Sequence, residues 1–283
     1  MEKLDLNVTV VGLGLIGGSY AMAIRELNPK KLYAVDIDEE SIHDAEKNGI
    51  IDKGYVKADI PLKESDLVII CLYPKLVKDF IKDNIKHFKS GAVITDVTGI
   101  KSEFVKEVNH ILREDLDFIF GHPMAGREQK GLKFASKEVF KGANYIITST
   151  ERNKEENIKF LEELIRKIGF KNVVTITPEK HDEIIGFTSQ LPHVIAVSLV
   201  NSDELGIDTG LYTGDSYREL TRIAQINSQL WTELFMGNKD NLIKEIEIFE
   251  KNIAMVKNAI INDEKSLLTE LLEKASKKRK EMS

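Results

Sequence analysis

Cysteine is nearly missing from this 283-residue chain: Cys71 stands alone. One thiol cannot close an internal disulfide, so a cross-linked extracellular scaffold is excluded and a reducing, cytoplasmic location is expected. Cys71 ends the apolar run Leu67–Cys71, which suits a buried strand-end thiol better than a nucleophile. Excess positive charge is missing as well. The formal net charge of −6 leaves no field to hold a polyanion, which argues against a nucleic-acid partner. Uninterrupted apolar runs are short. Residues 8–24 are broken by glycines, and residues 184–200 contain Gln190, Pro192 and His193, so no membrane span is expected. No cluster has metal-ligand spacing, so no metal is expected. The start, with Glu2, Lys3 and Asp5, does not read as a signal peptide. The basic run Lys277–Lys280 reads as a solvated tail.

What is present is a soluble-type composition, 42% hydrophobic and 30% charged, with two patterns in sequence. The first half alternates β-branched runs (8–11, 32–35, 67–71, 92–96, 118–120, 144–148, 172–177) with amphipathic stretches (15–27, 39–48, 76–87, 101–112, 154–168). That alternation predicts an α/β fold, a doubly wound Rossmann-type parallel sheet, with ligands at the carboxyl ends of its strands. After Thr177-Pro178 the pattern is helical, so the expected division is 1–177 for a nucleotide-binding domain and 178–283 for an all-helical substrate and dimerisation domain. Residues 184–200 are apolar nearly all round, which predicts a helix buried on every side and bent at Pro192. Leu242, Ile246, Phe249, Ile253, Val256 and Ile260 repeat at heptad-like spacing and predict a helix–helix seam, consistent with a homodimer.

The first strand runs into Gly12-Leu-Gly14-Leu15-Ile16-Gly17. Gly12 permits the tight turn, Gly14 lets a pyrophosphate approach the backbone, and Gly17 lets the next helix pack close. The amides near Leu15 and Ile16 point at the phosphates. Asp36 lies nineteen positions past Gly17, where a carboxylate binds ribose hydroxyls and opposes a 2′-phosphate. The cofactor expected is NAD rather than NADP. His122, between Gly121 and Pro123, stands at the end of the sheet where a nicotinamide would lie. Two readings fit it equally: a neutral imidazole that accepts a proton from a substrate hydroxyl, or a strand-end histidine that only bonds backbone. His181, beside Asp182 at a helix start, reads as structural or supporting; His193, at the proline bend, needs a partner. Arg218, Arg222, Gln225 and Gln229 share one helical face, which suits carboxylate binding or ordinary solvation.

Taken together, Gly12–Gly18, Asp96-Val-Thr-Gly-Ile-Lys101, Gly121-His-Pro-Met-Ala-Gly126, His181-Asp182, Leu191-Pro-His193 and Arg218-Glu-Leu-Thr-Arg222 resemble the prephenate dehydrogenase family, in the family's order. The resemblance implies NAD-dependent oxidative decarboxylation of prephenate to 4-hydroxyphenylpyruvate, on the route to tyrosine. It implies that His122 binds the ring hydroxyl, Arg222 the ring carboxylate, and that His193 lies near the side-chain carboxylate. Three positions depart from the family pattern. Gly99 stands where many members have a serine that orients the histidine, with Thr98 as the substitute expected here. Gln190 stands where many have histidine, and Arg127 where a small residue is common. Arg127, Ser189 and Gln190 are the further substrate-binding candidates. Arogenate, with an amino group in place of the keto group, is the alternative substrate. A non-catalytic NAD-binding dimer is the alternative of another kind. A dehydrogenase using a lysine of the helical domain fits less well, since residues 184–200 contain none.

Overall fold

In the computed structural model, which describes residues 3–126 and 129–282, the β-branched runs form a single sheet. Its strands are β1 (Asn7–Val11), β2 (Lys31–Val35), β3 (Lys53–Tyr55), β4 (Leu67–Ile70), β5 (Val93–Asp96), β6 (Asp117–Met124), β7 (Asn144–Thr148) and β8 (Asn172–Ile176). The spatial order is β3-β2-β1-β4-β5-β6-β7-β8. Helices α1 (Leu15–Arg25), α2 (Glu39–Lys47), α3 (Asp59–Glu64), α4 (Pro74–Asn84), α5 (Ser102–Ile111) and α6 (Glu155–Lys167) connect the strands. Alternate residues face opposite sides, and both sides are covered. Val8, Val10, Leu32 and Ile69 enter one apolar cluster; Val11, Val35, Val68 and Ile70 enter the other. The chain crosses from one side of β1 to the other between β3 and β4. A crevice therefore opens at the carboxyl ends of β1 and β4.

The sheet is not wholly parallel, which corrects the expectation. β6 and β7 pair antiparallel, while the other neighbours pair parallel. A parallel return needs a crossover element. Between β6 and β7 the chain instead makes two short 3-10 turns, Leu132–Phe134 and Lys137–Phe140, which pack over α1. There the Ser136 amide donates to Ser19 Oγ at 2.9 Å. β6 also continues to Met124, past the predicted end at Phe120. His122 is therefore a strand residue, opposite Ile146 of β7. The short edge strand β3 and helix α3 were not expected, because neither carries an apolar run long enough to stand out.

From Pro178 the chain folds as α7 (Pro178–Ile185), a π-helical turn (Gly186–Gln190), α8 (Leu191–Asn201), α9 (Asp215–Thr221), α10 (Ser228–Gly237), α11 (Lys239–Ile261) and α12 (Lys265–Glu281). The π turn answers the proline. The Leu191 amide bonds Gly186 O, five residues back, so the ladder widens one turn ahead of Pro192. This stretch is not buried on every side. Phe187 is 54% exposed and Val200 40%. On α11 Leu242 is buried, but Ile253, Val256 and Ile260 are exposed and form a groove with Phe249, Asn252 and Lys257. Residues 178–201 are long and apolar enough to cross a bilayer by composition. Within them, however, Asp182 bonds the start of α5, and Gln190 bonds the end of α10. The supposed single helix over Arg218–Gln229 is also corrected. α9 ends at Thr221, a 3-10 turn covers Arg222–Ala224, and Asn227 caps α10 through Leu230 N.

Candidate active site

The glycine turn holds its shape through three contacts. Gly12 has φ +91°, and a Cβ there would lie 2.7 Å from Cys71 O. A Cβ on Gly17 would fall 1.7 Å from Gly12 O, so α1 can approach β1 only with glycine at that position. Asp36 at the end of β2 accepts from Leu13 N at 2.5 Å and from Asp38 N at 2.9 Å, bracing the turn from the side. Nothing lies within 4 Å of where a Gly14 Cβ would stand. That open backbone, at the amino end of α1, is a cradle suited to a pyrophosphate.

Beside it lies a cavity of about 550 Å3, within the roughly 300–1,000 Å3 usual for ligand sites. Gly14, Leu15, Ile16, Gly17, Thr98, Gly99 and His122 line it from the sheet side; Ser189, Gln190, His193 and Arg222 line it from the helical side. The imidazole and the guanidinium singled out in the sequence thus share one cavity.

His122 is held from behind. Its Nδ1 lies 2.8 Å from His181 Nε2, and His181 Nδ1 lies 2.7 Å from Asp182 Oδ1. A carboxylate can only accept, so His181 donates from Nδ1 and its neutral ring leaves Nε2 as acceptor. His122 must then donate from Nδ1. Its Nε2 keeps a lone pair, the arrangement a proton acceptor needs. Asp182 has a second task. Helix α5 has no side-chain cap of its own, and the two Asp182 oxygens accept from Lys101 N at 2.8 Å and Ser102 N at 2.7 Å. One carboxylate therefore caps a helix of the sheet and sets the tautomers of two histidines. Burial works against its charge, yet the bonds from His181 and Ser102 prevail and hold Asp182 below its usual value. Burial pushes His122 well below its usual 6.5, and the neighbouring His181 and Lys101 add to this. Burial lowers His181 also, against the pull of Asp182.

Those directions fix a pH dependence. The acceptor must be neutral, and it is neutral above its lowered value. kcat/KM is expected to hold level through neutral pH and to fall only on acidification below 6.5. An acid limb centred at or above 6.5 in the measured profile contradicts this assignment.

Beneath the cavity lies a buried ion pair. Lys101 Nζ is 2.6 Å from Asp96 Oδ2, both side chains having zero exposure. Removing one partner of such a pair costs roughly 3–5 kcal/mol.

Two family models together match most of the chain. The nucleotide-binding domain of prephenate dehydrogenase matches residues 20–174, and the dimerization domain of prephenate dehydrogenase matches residues 177–274. The chain belongs to the prephenate dehydrogenase family. The prephenate dehydrogenase of Lactococcus lactis is 30% identical over 283 residues, covering 98% of this chain and 77% of that protein. That of Bacillus subtilis is 28% identical over 269 residues, covering 92% and 71%. The crystal structure of prephenate dehydrogenase from A. aeolicus, in complex with hydroxyphenyl propionate and NAD+, superposes with a TM-score of 0.88 at 30% identity, covering 100% of this chain and 99% of that one. As a member of the prephenate dehydrogenase family, the chain is an NAD-dependent dehydrogenase.

Within this prephenate dehydrogenase fold the expected site residues separate. Gly12, Gly14, Leu15, Ile16, Gly17 and Asp36 form the turn and its brace. His193 reaches the cavity with Nδ1 donating to Ser189 O at 2.9 Å, and its ring stacks on Trp231 at a centroid distance of 3.6 Å. Arg222 and Gln225 line the cavity, whereas Arg218 faces outward and pairs with Asp215 at 3.1 Å. Thr98 does not take the place of a serine at position 99. Its hydroxyl turns down to Asp96 Oδ2 at 2.5 Å, and position 99 is the one facing His122: a Cβ there would lie 3.6 Å from Nε2. Gln190 lines the cavity, but its amide is engaged within the protein. It donates to Leu234 O at 3.0 Å and accepts from Asn238 Nδ2 at 2.9 Å. Arg127 lies outside the described residues. The link from Asp182 through His181 to His122 was not read from the sequence, because fifty-nine positions separate the two histidines. The one signal was an Asp beside a His at a helix start.

Proposed function

We propose that this enzyme oxidises and decarboxylates prephenate to 4-hydroxyphenylpyruvate for tyrosine synthesis, working in the cytoplasm as a homodimer. The observation that carries the reading is the lone pair on His122 Nε2, in a cavity shared with the glycine turn and Arg222. Gly14, the α1 amides and Asp36 would hold NAD, which supplies the hydride acceptor when bound. His122 takes the proton from the hydroxyl oxygen on the ring. Arg222 holds the ring carboxylate in a planar, two-point grip. As the ring aromatises, the bond to that carboxylate breaks and Arg222 releases neutral carbon dioxide. His193, on its Trp231 platform, faces the substrate side chain, with Ser189 as the carbonyl that orients it.

Charge favours prephenate over arogenate. Among the described residues the cavity lining includes Arg222 and Lys130 and no carboxylate, which suits a dianion and gives an ammonium group no ionic partner. The division at residues 177 and 178 separates the cofactor half from the half that dimerises. The exposed apolar faces of α8 and α11 suit contact with a second copy.

The test is NADH formation with the wild-type enzyme, given prephenate and then arogenate. Turnover with prephenate at the higher kcat/KM is expected. A preference for arogenate overturns the substrate assignment. NAD binding with no turnover of either compound overturns catalysis itself.

A further inference from the structure

No reaction step described so far uses the Lys101 ammonium. Among the described residues no other lysine or arginine is buried. An ammonium has three protons, and this one has three acceptors: Asp96 Oδ2 at 2.6 Å, Gly121 O at 2.8 Å and Thr98 Oγ1 at 3.0 Å. The second acceptor is telling. The Gly121 carbonyl belongs to the peptide bond that joins Gly121 to His122. On its other side, Gly121 N donates to Asp96 Oδ1 at 3.1 Å. The ion pair thus grips the residue before the acceptor histidine at both its amide and its carbonyl. That residue cannot carry a side chain, since a Cβ would meet Tyr145 Oη at 1.9 Å. Lys101 also reaches the far end of the histidine chain, its own amide donating to Asp182 Oδ1 at 2.8 Å. One residue therefore touches both the peptide from which His122 hangs and the carboxylate that orders His181.

We propose that Lys101 is a positioning residue for the oxidation step, locking the Gly121–His122 peptide and standing as a fixed positive charge behind the imidazole. This rests on reading His122 as the proton acceptor. The lock fixes the direction in which Nε2 points. The charge disfavours a second cation nearby, so the ring waits unprotonated and gives up its proton readily after each turnover. The groups around His122 are consistent with this. Asp96 stands at the end of β5, Lys101 at the start of α5, Tyr145 on β7, and His181 and Asp182 on α7; Arg222 and His193 share the cavity in front. Asp96 and Asp182 are both engaged, the first by Lys101 and the second by His181 and the start of α5.

The experiment is Lys101→Met, compared with Asp96→Asn/Lys101→Met, which leaves no buried charge unpaired. kcat is expected to fall about 10- to 100-fold, the scale of a small misplacement of a reacting group. KM for NAD and substrate should stay within about threefold of wild type, because the lysine is buried and does not line the cavity. The acid limb of kcat/KM should move up by about one pH unit, as expected when a nearby positive charge is removed. If the single variant does not fold, as judged by its melting curve, the double variant supplies the kcat and KM readings; its acid limb should stay near wild type, because both opposite charges are gone. A normal kcat in either variant, an unmoved acid limb in a folded Lys101→Met, or failure of both variants to fold overturns the proposal and leaves Lys101 a purely structural residue. Normal turnover in His122→Ala instead removes the reading beneath it, so the two failures are distinguishable.

Discussion

His122→Ala is expected to lower kcat by about 100-fold or more, within the span seen when a general base is removed, while NAD affinity stays near wild type. The expectation follows from the hydrogen-bond chain. Asp182 fixes the proton of His181 on Nδ1, and this leaves the His122 proton on Nδ1 and a lone pair on Nε2. The other imidazole of the cavity, His193, is ordered by the Ser189 carbonyl instead and lies on the helical side, stacked on Trp231. Alanine also leaves a cavity in front of His181, so a small imidazole added to the solution is a natural rescue agent. Equilibrium NAD titration and steady-state kinetics on the same preparation check the split. Near-normal turnover removes His122 from the mechanism. Lost NAD binding means that the substitution disturbed the crevice and did not isolate a chemical step.

Arg222→Ala is expected to raise KM for prephenate about 10- to 100-fold, the scale of a charge-assisted hydrogen bond at 1.5–3 kcal/mol, with a smaller change in kcat. The guanidinium meets a full carboxylate charge in the ground state, and that charge vanishes as carbon dioxide forms. Its grip is therefore strongest before the reaction and cannot deepen in the transition state, which places its effect mainly on binding. Lysine should not restore the wild-type value, since a point charge cannot make the two-point contact. An unchanged KM in Arg222→Ala contradicts the role assigned to it.

The glycine turn, seven of the eight strands and the start of the helical half were legible because each rests on local chemistry. Gly12 needs a positive φ, the β-branched runs need two covered faces, and Pro178 begins a helix. What was not legible depends on partners distant in the chain. Asp182 finds the amino end of α5 eighty positions away, and His181 finds His122. Lys101 belongs to a motif visible in the sequence, but nothing local shows that its ammonium reaches the Gly121 carbonyl. Thr98 and Gln190 misled for the opposite reason. Each has the right chemistry at nearly the right position, and each spends it elsewhere, on Asp96 in one case and on Leu234 and Asn238 in the other. The antiparallel β6–β7 pair escaped because strand direction depends on the path of a connection rather than on the strand's composition. The burial on every side expected of α8 is not met within one chain, where Leu199 and Val200 are exposed.

The most direct measurement is a crystal structure of the wild-type enzyme with NAD and 4-hydroxyphenylpyruvate bound. The phenol oxygen is predicted to lie within about 2.6–3.2 Å of His122 Nε2, the reach of a proton acceptor, with the Arg222 guanidinium facing the opposite edge of the ring. A phenol oxygen placed away from Nε2, or a ring lying outside the cavity between residues 122 and 222, contradicts the account.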